Sequence, residues 1–436
     1  MSARRWGLAL GLVLAVAGGA ACGPSAAGDT VLKFWAMGRE GEVVAELVRD
    51  FERTHPGIRV TVQSLPWTAA HEKLLTAFAG GTTPDLAQLG NTWIPEFAAL
   101  KALEPLDRYA DASNVVQADD YFAGIWDTNR IGGTLYGVPW YVDTRLLFYR
   151  RDILQRAGFA AAPGSWAEWR AVLDAVARNA RRDRHAILLP LNEVEPLIAL
   201  AMQQGEPLLR DGDRWGNFRS PGFRRALSFY LEMFERGWAP LTAQAAVANV
   251  WSAFGRGDFA FYVSGPWNIG ELKRRLPAEA QETWMTGPLP GPNGPGTSIA
   301  GGSSLVVFRS SRHRDAAWQL IEFFSRPDVQ RRFHALTGDL PPRRATWSDG
   351  GLIADAHARA FREQLERVTP APKVPEWERI ATEMRVVVER TVHGGLSLDK
   401  AVTELDARAD RILEKRRWIL ARTTIGGQGP SRPKPE

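Results

Sequence analysis

A chain of 436 residues, 45% hydrophobic and 24% charged, is too long for one ordinary core, and two domains of roughly 150–200 residues are expected. The formal charge of +5 is thinly spread: RRWILAR and ELKRRL are broken by apolar residues or flanked by acids, which excludes a nucleic-acid stripe and fits solvated helix faces. With a single cysteine in the chain, no disulfide framework is available.

The chain opens on MSARRWGLALGLVLAVAGGAAC, with Arg4 and Arg5 before an apolar run from Trp6 and then small residues. That order predicts a secretory signal peptide over residues 1–21, too short for a permanent membrane helix. Cys22 follows Gly19-Ala20-Ala21. This resembles a bacterial lipobox, with Gly19 where Leu is usual, and implies a lipidated Cys22 followed by a flexible tether over residues 22–29.

VLKFWAM then alternates as a strand. EGEVVAELVRDFERTHPG follows, with Val43, Val44, Leu47, Val48 and Phe51 on one helical stripe. IRVTVQSL is a second strand, AHEKLLTAFAGG a helix and PDLAQLG a short buried strand. Such alternation predicts an α/β fold with a parallel sheet, and ligands in open sheets of this kind sit at the carboxyl ends of the strands. LYGVPWYVDTRLLFYRRDIL reads as one aromatic-rich strand. WAEWRAVLDAVARNA and SPGFRRALSFYLEMFERGW are amphipathic helices, so Trp166 and Trp169, like Trp318 further on, are expected in the core. A strand is predicted from about Ser304, two helices over residues 377–422, and a disordered tail over 423–436.

Seventeen tryptophans exceed what packing needs, and some are expected to face a ligand. The ordered series RDFERTHPGIRV, PWTAAHEKLLTAFAGGTTPDLAQLGNTWIPEFAALKALEPLD, GGTLYGVPWYVDTRLLFYRRDIL, GSWAEW, FGRGDFAFYVSGPW, AGGSSLVVF and DAAWQLIEFFSRPDVQRRF resembles the extracellular solute-binding proteins of carbohydrate ABC importers, the group that includes maltose- and trehalose-binding proteins. The resemblance covers nearly all of residues 30–422. It implies a two-lobed periplasmic-binding-protein fold of class II type, with a ligand cleft between the lobes. One lobe would comprise residues 30–142 plus 302–346 and the other 143–301 plus 347–422. Crossings are then expected near Asp143, at Thr297–Gly302 and at Thr346–Gly350. Gly301 and Gly302 suit a hinge, because glycine tolerates unusual backbone angles.

A sugar offers an apolar C–H face to aromatic rings and hydroxyls to carboxylates, amides and guanidinium groups. By resemblance, Trp267, Trp140 and Tyr141 are the stacking aromatics, and Asp143 accepts from hydroxyls. Asn91, Trp93, Trp67, Glu40 and Gly302 line the cleft, Arg343 donates to a ligand oxygen, and Trp377 closes over it. The alternatives are a packing role for Trp267 or one of the Trp140/Tyr141 pair, a hinge ion pair between Asp143 and Arg145, a structural ion pair for Arg343 and a helix cap for Trp377. Trp251 and Glu193 are further candidates.

The reading is therefore a monomeric, lipid-anchored receptor for a di- or oligosaccharide, partnered by permease subunits and needing neither metal nor cofactor. One alternative is an anionic ligand such as a sugar phosphate or glycerophosphodiester. The other is an exported glycosidase using two carboxylates. The chain has no G-x-S-x-G, no H-E-x-x-H and no phosphate-binding loop, and HEKLL carries Leu75 where a zinc helix needs its second histidine.

Overall fold

The computed structural model describes residues 29–181, 184–241, 249–348 and 351–426. The expected signal peptide, Cys22 and residues 22–28 of the tether lie outside them, as does the tail beyond 426. Among the described residues no helix is long and apolar enough to cross a membrane.

Two sheets organise the chain. The first runs in the order Val368–Pro370, Ser298–Val307, Leu86–Gly90, Thr30–Met37 and Ile58–Leu65, with Val138–Asp143 also paired to Ser298–Val307. Thr30–Met37 is parallel to both of its neighbours. Parallel pairing needs a crossover, and helices Ala45–Thr54 and Trp67–Ala79 supply it. The first helical stretch is split: Gly38–Val43 and Ala45–Thr54 are separate helices meeting at Val44. Their apolar side covers Leu32, Phe34 and Ala36, all sealed from solvent.

The second sheet runs Trp284–Gly287, Leu146–Arg150, Phe259–Ser264 and His185–Leu188. Every residue of its two central strands is buried, as expected of a sheet covered on both faces. One cover is the helix Trp166–Asn179, started by a capping box between Ser165 and Glu168. Trp166 and Trp169 are buried from it, and Trp318 is buried in the first lobe.

The aromatic stretch read as one strand is two, and they belong to different sheets. Val138–Asp143 completes the first and Leu146–Arg150 begins the second, with Thr144 and Arg145 between them. The return strand begins at Ser298 rather than near Ser304. Ser298 to Ala300 pair with Val368–Pro370, whereas Gly301 to Leu305 pair with Val138–Asp143. The C-terminal segment forms three helices, Trp377–Val392, Leu398–Ile412 and Glu414–Gly426. The break falls at Leu413, which is fully buried, and the helix persists to Gly426 where a tail from 423 was expected.

Gly302 sits in the return strand with φ +124°, and a Cβ there would lie 2.9 Å from Val142 Cα and 3.0 Å from Asp143 N. Both obstacles are backbone, so no side chain can yield. Gly302→Ala is expected to lower the unfolding free energy by more than about 1 kcal/mol, read as an earlier midpoint in urea denaturation. An unchanged midpoint would mean that the crossing accepts a β-carbon.

Candidate functional site

The carboxyl ends of the first-sheet strands deliver one half of the site. Met37 ends the first strand and Glu40 lies in the following helical turn. Trp67 opens the helix after the second strand, and Trp93 closes a short 3-10 turn after the third. Trp67 and Glu40 converge on Gly38: a Cβ there would stand 2.8 Å from Trp67 Nε1 and 3.1 Å from Glu40 Oε2. Gln88 organises the floor. Its Oε1 accepts from the Met37 amide at 2.7 Å, while its Nε2 donates to Tyr141 Oη and Ser303 Oγ, both at 3.2 Å. Tyr141, Trp67 and Gln88 in turn bring hydrogen-bonding groups to the Glu40 carboxyl. Trp67 is 37% exposed. Its ring meets Trp93 edge-on at 5.7 Å, and Trp93 meets His71 at 5.0 Å.

The crossing and the second lobe deliver the other half. Arg145 Nη1 donates to both oxygens of Asp143 at 2.8 Å. The Arg145 guanidinium lies 4.9 Å from the centre of the half-buried Trp267 ring. Trp267 and Asp143 converge on Gly265, where a Cβ would lie 2.5 Å from Asp143 Oδ1. Behind this loop, Trp251 Nε1 donates to Asn268 Oδ1 at 2.8 Å, and Asn268 Nδ2 donates to Ser264 Oγ at 2.8 Å. Trp251 thus supports the loop that carries Trp267.

The electrostatics are one-sided. Burial lifts Glu40, Asp143, Glu193, Asp339 and Glu378 above their ordinary carboxyl values. For Asp143 the neighbouring Arg145 opposes that rise. For Asp339 the charge of Glu40 adds to it. Arg145 is the buried cation among these acids: burial works against its charge, but Asp143, Glu195 and Glu193 more than offset this. Glu193 Oε2 is shut off from solvent with no hydrogen-bond partner.

The structure places Glu40, Trp67, Trp93 and Tyr141 in the first group and Asp143 and Trp267 in the second, with Glu193, a further candidate of the sequence, near Arg145. Three other expectations are corrected. Trp140 is 2% exposed, stacked on Phe333 at 4.5 Å and packed against Phe34 and Phe324, so neither ring face is open. Trp377 is also 2% exposed and belongs to the second-lobe core with Ile380, Met384 and Val387. Arg343 forms a structural ion pair with Asp120 and donates to Ser325 O at 2.7 Å. Asn91 accepts from Ser304 Oγ at 2.9 Å, holding the return strand to the third strand's end, while its Nδ2 has no hydrogen-bond partner. Gly302 stays in the crossing, as described above. Sequence reasoning missed Asp339, Gln88 and Glu378. Glu378 follows Trp377 in the second-lobe helix and meets a hydrogen-bonding group of Thr92 from the first lobe. Among the described residues no cluster of His, Cys, Asp and Glu has the arrangement of a metal site.

Two sheets joined by the paired strands Val138–Asp143 and Ser298–Val307 define a two-lobed fold of the periplasmic receptor type. The chain matches the family described as bacterial extracellular solute-binding protein over residues 37–331, and it belongs to that family. It is similar in structure to the sugar-binding protein MalE of the phytopathogen Xanthomonas citri, with 59% identity and a TM-score of 0.87 over 90% of this chain and 99% of that one. Among curated proteins it is 26% identical to a putative binding protein of Brucella abortus over 95% of this chain and all of that protein. It is 24% identical to the diacetylchitobiose-binding protein of Streptomyces coelicolor, covering 82% of this chain and 83% of that one.

Two stability measurements check the placements. Trp140→Ala is expected to cost about 3–5 kcal/mol, the range for emptying an aromatic site in a core, whereas Trp267→Ala at the half-buried ring costs roughly 1 kcal/mol. Equal losses in urea unfolding would contradict the assignment of one to the core and the other to the cleft. Asp339 gives a pH signature. Its folded-state value lies above the ordinary 3.8, so its favourable contribution is complete below that value and is lost as pH rises through the raised one. Asp339→Asn, which keeps the shape without the charge, is expected to stabilise the protein at pH 8 by roughly 1–3 kcal/mol, with the gain fading towards pH 4. A gain that is independent of pH would refute the burial argument.

Proposed function

We propose that this chain is the exported, lipid-anchored receptor of a carbohydrate ABC importer. It closes residues 30–142 plus 302–346 and residues 143–301 plus 347–422 around a neutral di- or oligosaccharide and presents it to the permease. The observation that carries this reading is the pairing of accessible aromatic surface, the exposed Trp67 and the half-buried Trp267, with carboxyls at Glu40, Asp143 and Asp339. Rings cover the C–H face of a sugar, and carboxylates accept hydrogen bonds from its hydroxyls in charge-assisted bonds worth about 1.5–3 kcal/mol each. The sugar-binding relative from Xanthomonas citri and the diacetylchitobiose-binding relative from Streptomyces coelicolor support the same ligand class.

The charge balance speaks against the anionic alternative. The cleft's buried guanidinium is already paired through Nη1 with Asp143, and a phosphate would also meet the carboxyls of Glu40, Asp339 and Glu193. A bound sugar touching both lobes favours the closed state by its higher affinity for it, and the closed form is what the permease would recognise. Two acyl chains at Cys22 would hold the receptor stably at the membrane.

The test is calorimetry on residues 23–436, which include every described residue, with maltose, trehalose, maltotriose and a β-linked disaccharide. Saturable binding of one of them is expected, with the sugar recovered uncleaved, affinity at least tenfold weaker in Trp267→Ala, and no displacement by glycerol 3-phosphate. Displacement by the phosphate would favour the anionic ligand, and a shortened sugar would make the protein a hydrolase.

A further inference from the structure

The second lobe carries a recess that has no part in the cleft. It has a volume of about 140 Å³ and is lined by Arg156, Asn179, Arg181, Arg184 and His185 over an apolar floor that includes Val176. Its place in the sheet separates it from the sugar site. His185 and Phe259 begin two parallel strands. The far ends of those strands lead to Glu193 and to the Trp267 loop. A strand of the length of Phe259–Ser264 spans roughly 20 Å at about 3.3 Å per residue, so recess and cleft lie at opposite edges of the same sheet.

The lining has the chemistry of an oxyanion site. Arg156 is engaged by Asp152 at 3.0 Å. Among the described residues Arg181 and Arg184 have no carboxylate partner, and the Arg184 amide donates to Arg181 O at 3.0 Å, which holds these two residues at the same end of the sheet. Guanidinium forks match the oxygen spacing of phosphate and bind it bidentately. The volume suits the ligand, since a cavity of roughly 150 Å³ accommodates a benzene molecule and a phosphate group is smaller.

We propose that this recess is a second binding site, for phosphate or the head of a phosphate monoester, held by Arg181 and Arg184. The inference is independent of the sugar reading, because no residue is shared between the two sites.

The experiment is calorimetric titration of sugar-free residues 23–436 with sodium phosphate, and with sodium chloride at matched ionic strength. One saturable phosphate site per chain is expected, at least tenfold weaker in R181Q/R184Q, with the affinity for the sugar unchanged within twofold. No saturable phosphate binding beyond the chloride control, or equal phosphate affinity in parent and variant, overturns the proposal. If the double Gln variant also loses sugar binding, the decision passes to R181K/R184K, which keeps the charges but not the forks. At least threefold weaker phosphate binding there supports the site, and parental affinity overturns it.

Discussion

The bond between Asp143 and Arg145 sits where the chain passes from the first sheet to the second. Asp143 is the last residue of a first-sheet strand, and Arg145 directly precedes the first strand of the second sheet. Their side chains meet at 2.8 Å. Their backbones tie the same place to the return crossing: Gly301 is registered opposite Asp143, and Ser298 Oγ donates to Arg145 O at 2.7 Å. An ion pair taken out of water repays its desolvation only with good geometry and further bonds. Here a single nitrogen serves both carboxylate oxygens and the guanidinium lies over Trp267. The pair thus spends much of the cation's charge internally and sets the position of the ring. The remaining cleft is acidic.

That acidity has a cost the fold accepts. Buried carboxyls with raised proton affinity are destabilising when ionised, and a purely structural core would replace them with apolar groups. Keeping Glu40, Asp339 and Glu193 at the junction of two lobes makes sense when hydroxyl donors arrive from outside. Arginine is abundant in the chain, but most of its ion pairs lie on exposed or half-exposed faces, such as Arg39–Glu42 and Arg59–Asp29. Their energetic worth is small. The sign of the cleft is therefore decided by a few buried groups and not by the net charge of the chain.

How much of this was legible in the sequence depended on whether a local rule applied. Strand–helix alternation and the order of the segments gave the fold class, because that is written in short-range pattern. Neighbouring residues of a strand point to opposite faces, so Trp140 and Tyr141 were never able to share one role. Tyr141 turns to Gln88, while Trp140 turns to Phe34 and Phe333. Trp377 lies on one helical stripe with Ile380, Met384 and Val387, and that 3.6-residue period already assigned it to the core. Arg343 was different. Its partner Asp120 is 223 positions away, and no local pattern connects them. Asp339 carried no motif at all, and only the packing of its turn beside Glu40 brought it into the site.

In the proposed reading the hinge and the ligand site share a few residues, which would couple binding to movement. Tyr141 and Asp143 stand on one crossing strand, and Ser303, which donates to Tyr141 Oη at 3.1 Å, stands on the other. The register of that pair slips between Ser303 and Ser304, an irregularity that bends a strand locally and weakens its ladder at that point. A rotation of the lobes concentrated there would carry Trp267 and Glu193 relative to Glu40 and Trp67 while leaving each sheet intact. A ligand bonded to residues on both sides of the crossing then restrains the rotation itself. Its binding energy is expressed as a preference for one lobe angle, and no separate signalling path is required.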